Sequence, residues 1–117
     1  MMGNMSVHVV DVTSGIVAQG LAIRVVRVEG LDRQSLYLGK IEENGLASGL
    51  SELFIRKSIC EVIFEVGCYY RNERCELPEM PFLDEVVYRF GLDDPQQHYH
   101  CPFKMTPWGF SCFRGGA

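Results

Sequence analysis

His98-Tyr99-His100-Cys101-Pro102-Phe103-Lys104-Met105 leads into Thr106-Pro107-Trp108-Gly109-Phe110-Ser111-Cys112, and the chain closes on Phe113-Arg114-Gly115-Gly116-Ala117. Alternation through the first run puts His98, His100 and Lys104 on one side of an extended segment, with Tyr99, Cys101, Phe103 and Met105 on the other. One side is apolar enough to bury. The other carries two imidazoles and an amine, an unusual composition for a strand face unless it lines a site.

The rest of the chain reads with the same period of two. Val7 to Val12 is an apolar run ended by Thr13-Ser14-Gly15, and Leu21, Ile23 and Val25 alternate with Ala22, Arg24 and Val26 up to Gly30-Leu31-Asp32. A third run, Ser35 to Ile41, stops at Glu43-Asn44-Gly45, whose Asn-Gly dipeptide is a strong turn former. Ser58 to Val66, Glu85 to Leu92, His98 to Met105 and Gly109 to Arg114 complete the set. Ser51 to Phe54 fits either a helical turn or a short strand, and Cys68 to Arg74 is expected to form a short helix. Seven to eight short strands with turns between them predict an all-β antiparallel sandwich, a single domain over 1–117. Open sheet edges and a polar imidazole row also make pairing with another copy of the chain a natural expectation.

The 117 residues are 47% hydrophobic and 22% charged, ordinary values for a soluble globular domain, with a formal net charge of −4. The absence of any basic run leaves nucleic-acid binding without support. No stretch is long enough to span a bilayer, and Met1-Met2-Gly3-Asn4-Met5-Ser6 carries no export pattern. Five cysteines (Cys60, Cys68, Cys75, Cys101 and Cys112) without a C-x-x-C pair predict reduced thiols and a cytoplasmic location.

At this point two ends of the sequence resemble one family. Val7-His8-Val9-Val10-Asp11 with Thr13-Ser14-Gly15 is similar to the first strand and turn of the transthyretin/5-hydroxyisourate hydrolase family. His98-Tyr99-His100-Cys101-Pro102, Thr106-Pro107-Trp108-Gly109-Phe110 and Phe113-Arg114-Gly115-Gly116 resemble its penultimate strand, its last turn and its terminal tetrapeptide, the last being a mark of the hydrolase branch. Gly67-Cys68-Tyr69-Tyr70 and Phe82-Leu83-Asp84-Glu85-Val86 match weaker landmarks. The resemblance implies a transthyretin-like (prealbumin) sandwich, a homotetramer built as a dimer of dimers, and sites in the channel between dimers. It implies hydrolytic opening of a cyclic amide in an oxidised purine, with no cofactor and no bound metal. By matching position, His8 and His100 are the acid–base pair, and Arg114 with the tail backbone supplies donors to the oxyanion. Leu46, His98, Phe113, Gly115 and Gly116 are expected to contact the small-molecule substrate.

Departures from the family pattern fall inside the site. The family arginine that follows the turn after the third strand is Leu46 here, and the tail has Phe113 for tyrosine and Gly116 for serine. These changes point to an altered substrate preference. They leave three readings open: a 5-hydroxyisourate hydrolase, a diverged enzyme acting on a non-purine metabolite in a biosynthetic pathway, and a non-catalytic binder of an apolar ligand. Plainer readings stand beside them. His8 alone on a half-buried strand is most often structural. His98-x-His100 has the spacing of a zinc pair, though Cys101 points away from it. Cys112 lacks an evident base, Lys104 fits a solvated position, and Trp108 fits a turn that caps the sandwich.

Overall fold

Alternation in the first strand already says where its side chains go: Met5, Val7, Val9 and Asp11 are buried, while Ser6, His8 and Val10 stay half-buried. The computed structural model describes residues 3–73 and 75–116. Its elements are β1 (Met5–Asp11), β2 (Ile16–Val17), β3 (Ala22–Glu29), β4 (Asp32–Lys40), a 3-10 turn (Leu50–Glu52), β5 (Ser58–Glu65), α1 (Val66–Asn72), β6 (Glu85–Leu92), β7 (Tyr99–Thr106) and β8 (Gly109–Cys112). They form two four-stranded sheets, ordered β2-β1-β7-β8 and β4-β3-β5-β6. The expected sandwich of short strands is therefore present. Among the described residues, no helix is long and apolar enough to cross a membrane.

The core lies between the sheets. Val7, Val9, Cys101, Phe103 and Met105 come from one, and Ile23, Val25, Cys60, Val62 and Phe64 from the other. At its centre the Phe64 and Phe103 rings stack with centroids 3.8 Å apart and planes 5° from parallel, joining the two sheets face to face.

Several details depart from the sequence expectation. The sandwich is not wholly antiparallel, since β1 and β7 run parallel from Met5↔Tyr99 to Asp11↔Met105. These strands come from opposite ends of the chain, so no hairpin fixes their direction. The run expected to end at Val66 stops at Glu65, and the helix begins at Val66, two residues ahead of its expected start. Arg74, its expected last residue, lies outside the described residues. Of the stretch the sequence left open, Ser51 and Glu52 sit in the 3-10 turn, and Leu53 and Phe54 lie beyond it in neither helix nor strand. Strand β8 ends at Cys112 and not at Arg114. In the continued register Pro102 stands opposite Phe113 and has no N–H to give, so the ladder lapses there. One bond resumes it, from the Gly115 N–H to the His100 carbonyl at 2.7 Å.

Helix α1 is tied to the end of β1. The buried Tyr70 hydroxyl donates to the Asp11 carboxylate and also lies 3.1 Å from the Met105 carbonyl. Asp11 in turn accepts from the Thr13 N–H and the Ser14 hydroxyl, which fixes the turn between β1 and β2. The Tyr70 hydroxyl thus bridges the ends of β1 and β7 where Asp11 stands opposite Met105.

Candidate functional site

The parallel register pairs Ser6 with His100 and His8 with Pro102, so Ser6, His8, His98 and His100 share the outer face of one sheet. His8 and His100 are diagonal neighbours there. Ser6 stands between the other two imidazoles: its Oγ is 2.7 Å from His100 Nδ1 and 3.0 Å from His98 Nε2. The far nitrogen of His98, Nδ1, meets the Asn4 side-chain oxygen. The two rings of the His98–His100 pair are 6.3 Å apart and nearly parallel at 12°. Burial lowers the His100 pKa below its ordinary 6.5, and the imidazoles of His98 and His8 lower it further. At neutral pH this ring is an uncharged base.

His8 is framed by the turn after β4. Gly45 has φ +85°, a left-handed conformation that favours glycine, and a Cβ there would sit 2.3 Å from His8 Nε2. From this turn the chain runs antiparallel beside β1. The Val9 N–H donates to the Gly45 carbonyl at 2.9 Å, and the Ala47 N–H to the Val7 carbonyl at 3.1 Å. His8 and Leu46 form the bridge between these two bonds. Asn44 Oδ1 accepts the Leu46 N–H at 3.0 Å and holds the turn. Leu46, which stands where the family pattern has arginine, is thereby placed next to His8, 37% exposed.

The tail reaches the same cluster from β8. Gly115 lies against the His100 ring, close enough that a Cβ would come within 2.8 Å of its Cδ2. Phe113 and Gly116 are exposed. Arg114 does not join the imidazoles in this chain, contrary to the sequence expectation. Its guanidinium lies over the Tyr99 ring, 4.2 Å from the centroid, and bonds the Gln97 side chain and the His98 carbonyl. Tyr99 faces the core, so Arg114 is on the opposite side of β7. There it borders a cavity of about 170 Å³ lined also by Tyr88, Phe90 and Cys101. Alternation from Cys112, which packs against the core, leads to this same side, whereas the family resemblance implied a role beside the imidazoles.

Other sequence candidates separate in the same way. Both ring nitrogens of His98 are engaged, so it supports its neighbours more than it faces a ligand. Among the described residues no group of three or more His, Cys, Asp or Glu side chains is placed to hold a metal. Burial pushes the Cys112 thiol up to about 12, which keeps it protonated and a poor nucleophile. Lys104 is exposed, and Trp108 sits in its turn with its ring 6.2 Å from that of Phe82. Sequence reading missed Asn4 and Ser6. Ser6 is two residues before His8 and so shares its face, but its place beside His100 follows only from the parallel pairing.

Two face-packed sheets with a parallel first and penultimate strand, and a histidine cluster on their outer side, define a prealbumin-type sandwich. The chain belongs to the HIUase/Transthyretin family, whose model matches residues 5–115. A 5-hydroxyisourate hydrolase of Pseudomonas aeruginosa is 34% identical over 116 residues, 97% of this chain and 92% of that protein. One of Mesorhizobium japonicum is 36% identical over 115 residues, with coverage of 97% and 92%. Among solved structures, (S)-allantoin synthase matches 98% of this chain at TM-score 0.88 and 28% identity, with this chain spanning 44% of its length. A Klebsiella pneumoniae 5-hydroxyisourate hydrolase shares the fold at TM-score 0.79 and 22% identity, covering 98% of this chain and 100% of that one.

Proposed function

We propose that this protein is a small-molecule hydrolase of the 5-hydroxyisourate hydrolase type, which opens a cyclic amide by histidine acid–base catalysis. The observation that carries the reading is the meeting of His8 and His100 on one face, with Leu46 against the first and Gly115 against the second. His100, uncharged at neutral pH, takes a proton from water as it attacks the carbonyl. His8, on the neighbouring strand, returns a proton to the departing nitrogen. Main-chain N–H groups of the tail serve the oxyanion, and Arg114 anchors that tail through Gln97 and the His98 carbonyl. The site works as part of a homotetramer, in a channel shared between copies, and needs no cofactor.

The substrate preference differs from that of the relatives. One lost oxyanion donor costs about 3–4 kcal/mol in the transition state, roughly a hundred- to a thousandfold in rate. Leu46 removes such a group and offers an apolar wall in its place, which disfavours a polar ureide. The same observation supports a second reading, in which the scaffold serves a less polar, non-purine metabolite or holds an apolar ligand without chemistry.

The test is to add the protein to freshly generated 5-hydroxyisourate and follow the loss of ultraviolet absorbance. The expected result is weak acceleration by the natural protein, lost in His8→Ala and His100→Ala. In Leu46→Arg it should rise by roughly a hundred- to a thousandfold. No acceleration by either the natural protein or Leu46→Arg rules the hydrolase reading out.

A further inference from the structure

Four side chains from the two ends of the sequence form one hydrogen-bonded line: Asn4, His98, Ser6 and His100. A serine hydroxyl has a single hydrogen, and here it stands within hydrogen-bond distance of two imidazole nitrogens. It can donate to only one of them, so at least one imidazole must donate to Ser6 Oγ. The Asn4 side-chain oxygen decides which. It accepts from His98 Nδ1, which leaves His98 Nε2 a lone pair in the neutral ring. The Ser6 hydroxyl therefore donates to His98 Nε2, and Ser6 Oγ accepts from His100 Nδ1. His100 Nε2 is left bare.

We propose that Ser6, His98 and Asn4 form a proton relay that fixes His100 as its Nδ1–H tautomer, presents Nε2 as the base, and carries the gained proton away from the site. This rests on the hydrolase reading for its role in turnover, though not for its geometry. When His100 Nε2 takes a proton from water, the ring becomes an imidazolium. Its Nδ1 proton passes to Ser6 Oγ as the Ser6 proton passes to His98 Nε2. His100 is again neutral, now protonated at Nε2, and the single positive charge rests on His98. Both of its N–H groups are then matched, one by Ser6 Oγ and one by the Asn4 oxygen. Ser6, His98 and Asn4 are positioning residues, since none needs to touch the reacting atoms. The other titratable groups on this face are His8 from β1 and Lys104 from β7, and the tail brings only Gly115 against the ring.

The chain has three histidines, so their ring nitrogens are resolved by long-range proton–nitrogen NMR on the ¹⁵N-labelled full-length protein. Above the ordinary histidine pKa of about 6.5, His100 is expected to appear as the Nδ1–H form. In Ser6→Ala it should revert to Nε2–H, while Ser6→Thr, which keeps the hydroxyl, should restore Nδ1–H. In His98→Phe the Ser6 hydroxyl loses its acceptor and turns to His100 Nδ1, so the tautomer should also flip. An Nε2–H form in the natural protein, or a tautomer indifferent to Ser6→Ala and His98→Phe, overturns the relay. If 5-hydroxyisourate is hydrolysed, Ser6→Ala should lower kcat about a hundredfold without moving KM, because a proton then occupies the base. If it is not hydrolysed, the hydrolase reading fails and the NMR result still decides the relay.

Discussion

Replacing Gly45 by alanine probes the contact that frames His8, and its effect divides into two parts that the structure separates. The first part is backbone strain. At φ +85° an alanine is disfavoured by about 1–2 kcal/mol, partly offset by about 0.4–1 kcal/mol from the stiffer unfolded chain. The second part is collision. The new Cβ would lie 2.3 Å from His8 Nε2 and 2.8 Å from Val17 Cγ1, so the imidazole must swing off its rotamer. That adds about 0.5–1.5 kcal/mol. Gly20 supplies the control, because its φ is +91° with nothing within 4 Å of the Cβ position. Urea unfolding at one protein concentration should find Gly20→Ala destabilised by about 1 kcal/mol and Gly45→Ala by about 2 kcal/mol. Only Gly45→Ala should shift the His8 ring resonances. Equal destabilisation of the two variants, with the His8 signals unmoved, refutes the placement of this imidazole against the turn.

Further outcomes follow from the same geometry. Gly115→Ala places a Cβ 2.8 Å from the His100 ring, so it should shift the His100 resonances and slow any hydrolysis, while Gly116→Ala, with open space at its Cβ, leaves the His100 resonances unmoved. Tyr70→Phe removes a donor from the buried Asp11 carboxylate and should reduce stability by about 1–3 kcal/mol in urea unfolding. The depressed His100 pKa means that the unfolded chain binds the extra proton first. Stability should therefore fall as pH drops below about 6.5, and in His100→Gln the urea midpoint should lose part of that slope. If Leu46 contacts an apolar substrate or ligand, Leu46→Ala should weaken its binding by about tenfold or more in a dye or substrate titration, through about 1.5–3 kcal/mol of lost burial.

The sheets were legible because their strands keep a period of two: β6 and β7 appear in the sequence within a residue of their observed ends. The two-residue β2 is too short to carry any period. Direction was less legible than existence. Hairpins announce antiparallel pairing through a turn dipeptide, whereas β1 and β7 meet across nearly the whole chain with no local mark of their parallel course. For the same reason His8 and His100 were visible as residues but Ser6 was not. Its role depends on the Ser6↔His100 pairing, a fact of tertiary register. Arg114 was assigned to the site by family resemblance, whereas alternation from the core-packed Cys112 puts it on the side where it lies over Tyr99.

The arrangement separates two tasks that amide hydrolysis needs together. Handling the proton requires an uncharged imidazole with a defined tautomer and somewhere to send the charge. His100, Ser6, His98 and Asn4 supply hydrogen-bonded neighbours for this within one chain. Stabilising the oxyanion requires donors aimed at the carbonyl, and here the chain is thin. Leu46 stands beside His8 where the family pattern has a guanidinium, and Arg114 is committed to Tyr99, Gln97 and the His98 carbonyl. On the proposed reading, a site with His100 as base and Leu46 in place of a cation is poorly matched to a substrate whose transition state is strongly anionic. It is better matched to one whose carbonyl is already polarised or whose body is apolar enough to use Leu46. That asymmetry, more than the absence of a single arginine, is the physical ground for expecting the substrate of this chain to differ from that of its relatives.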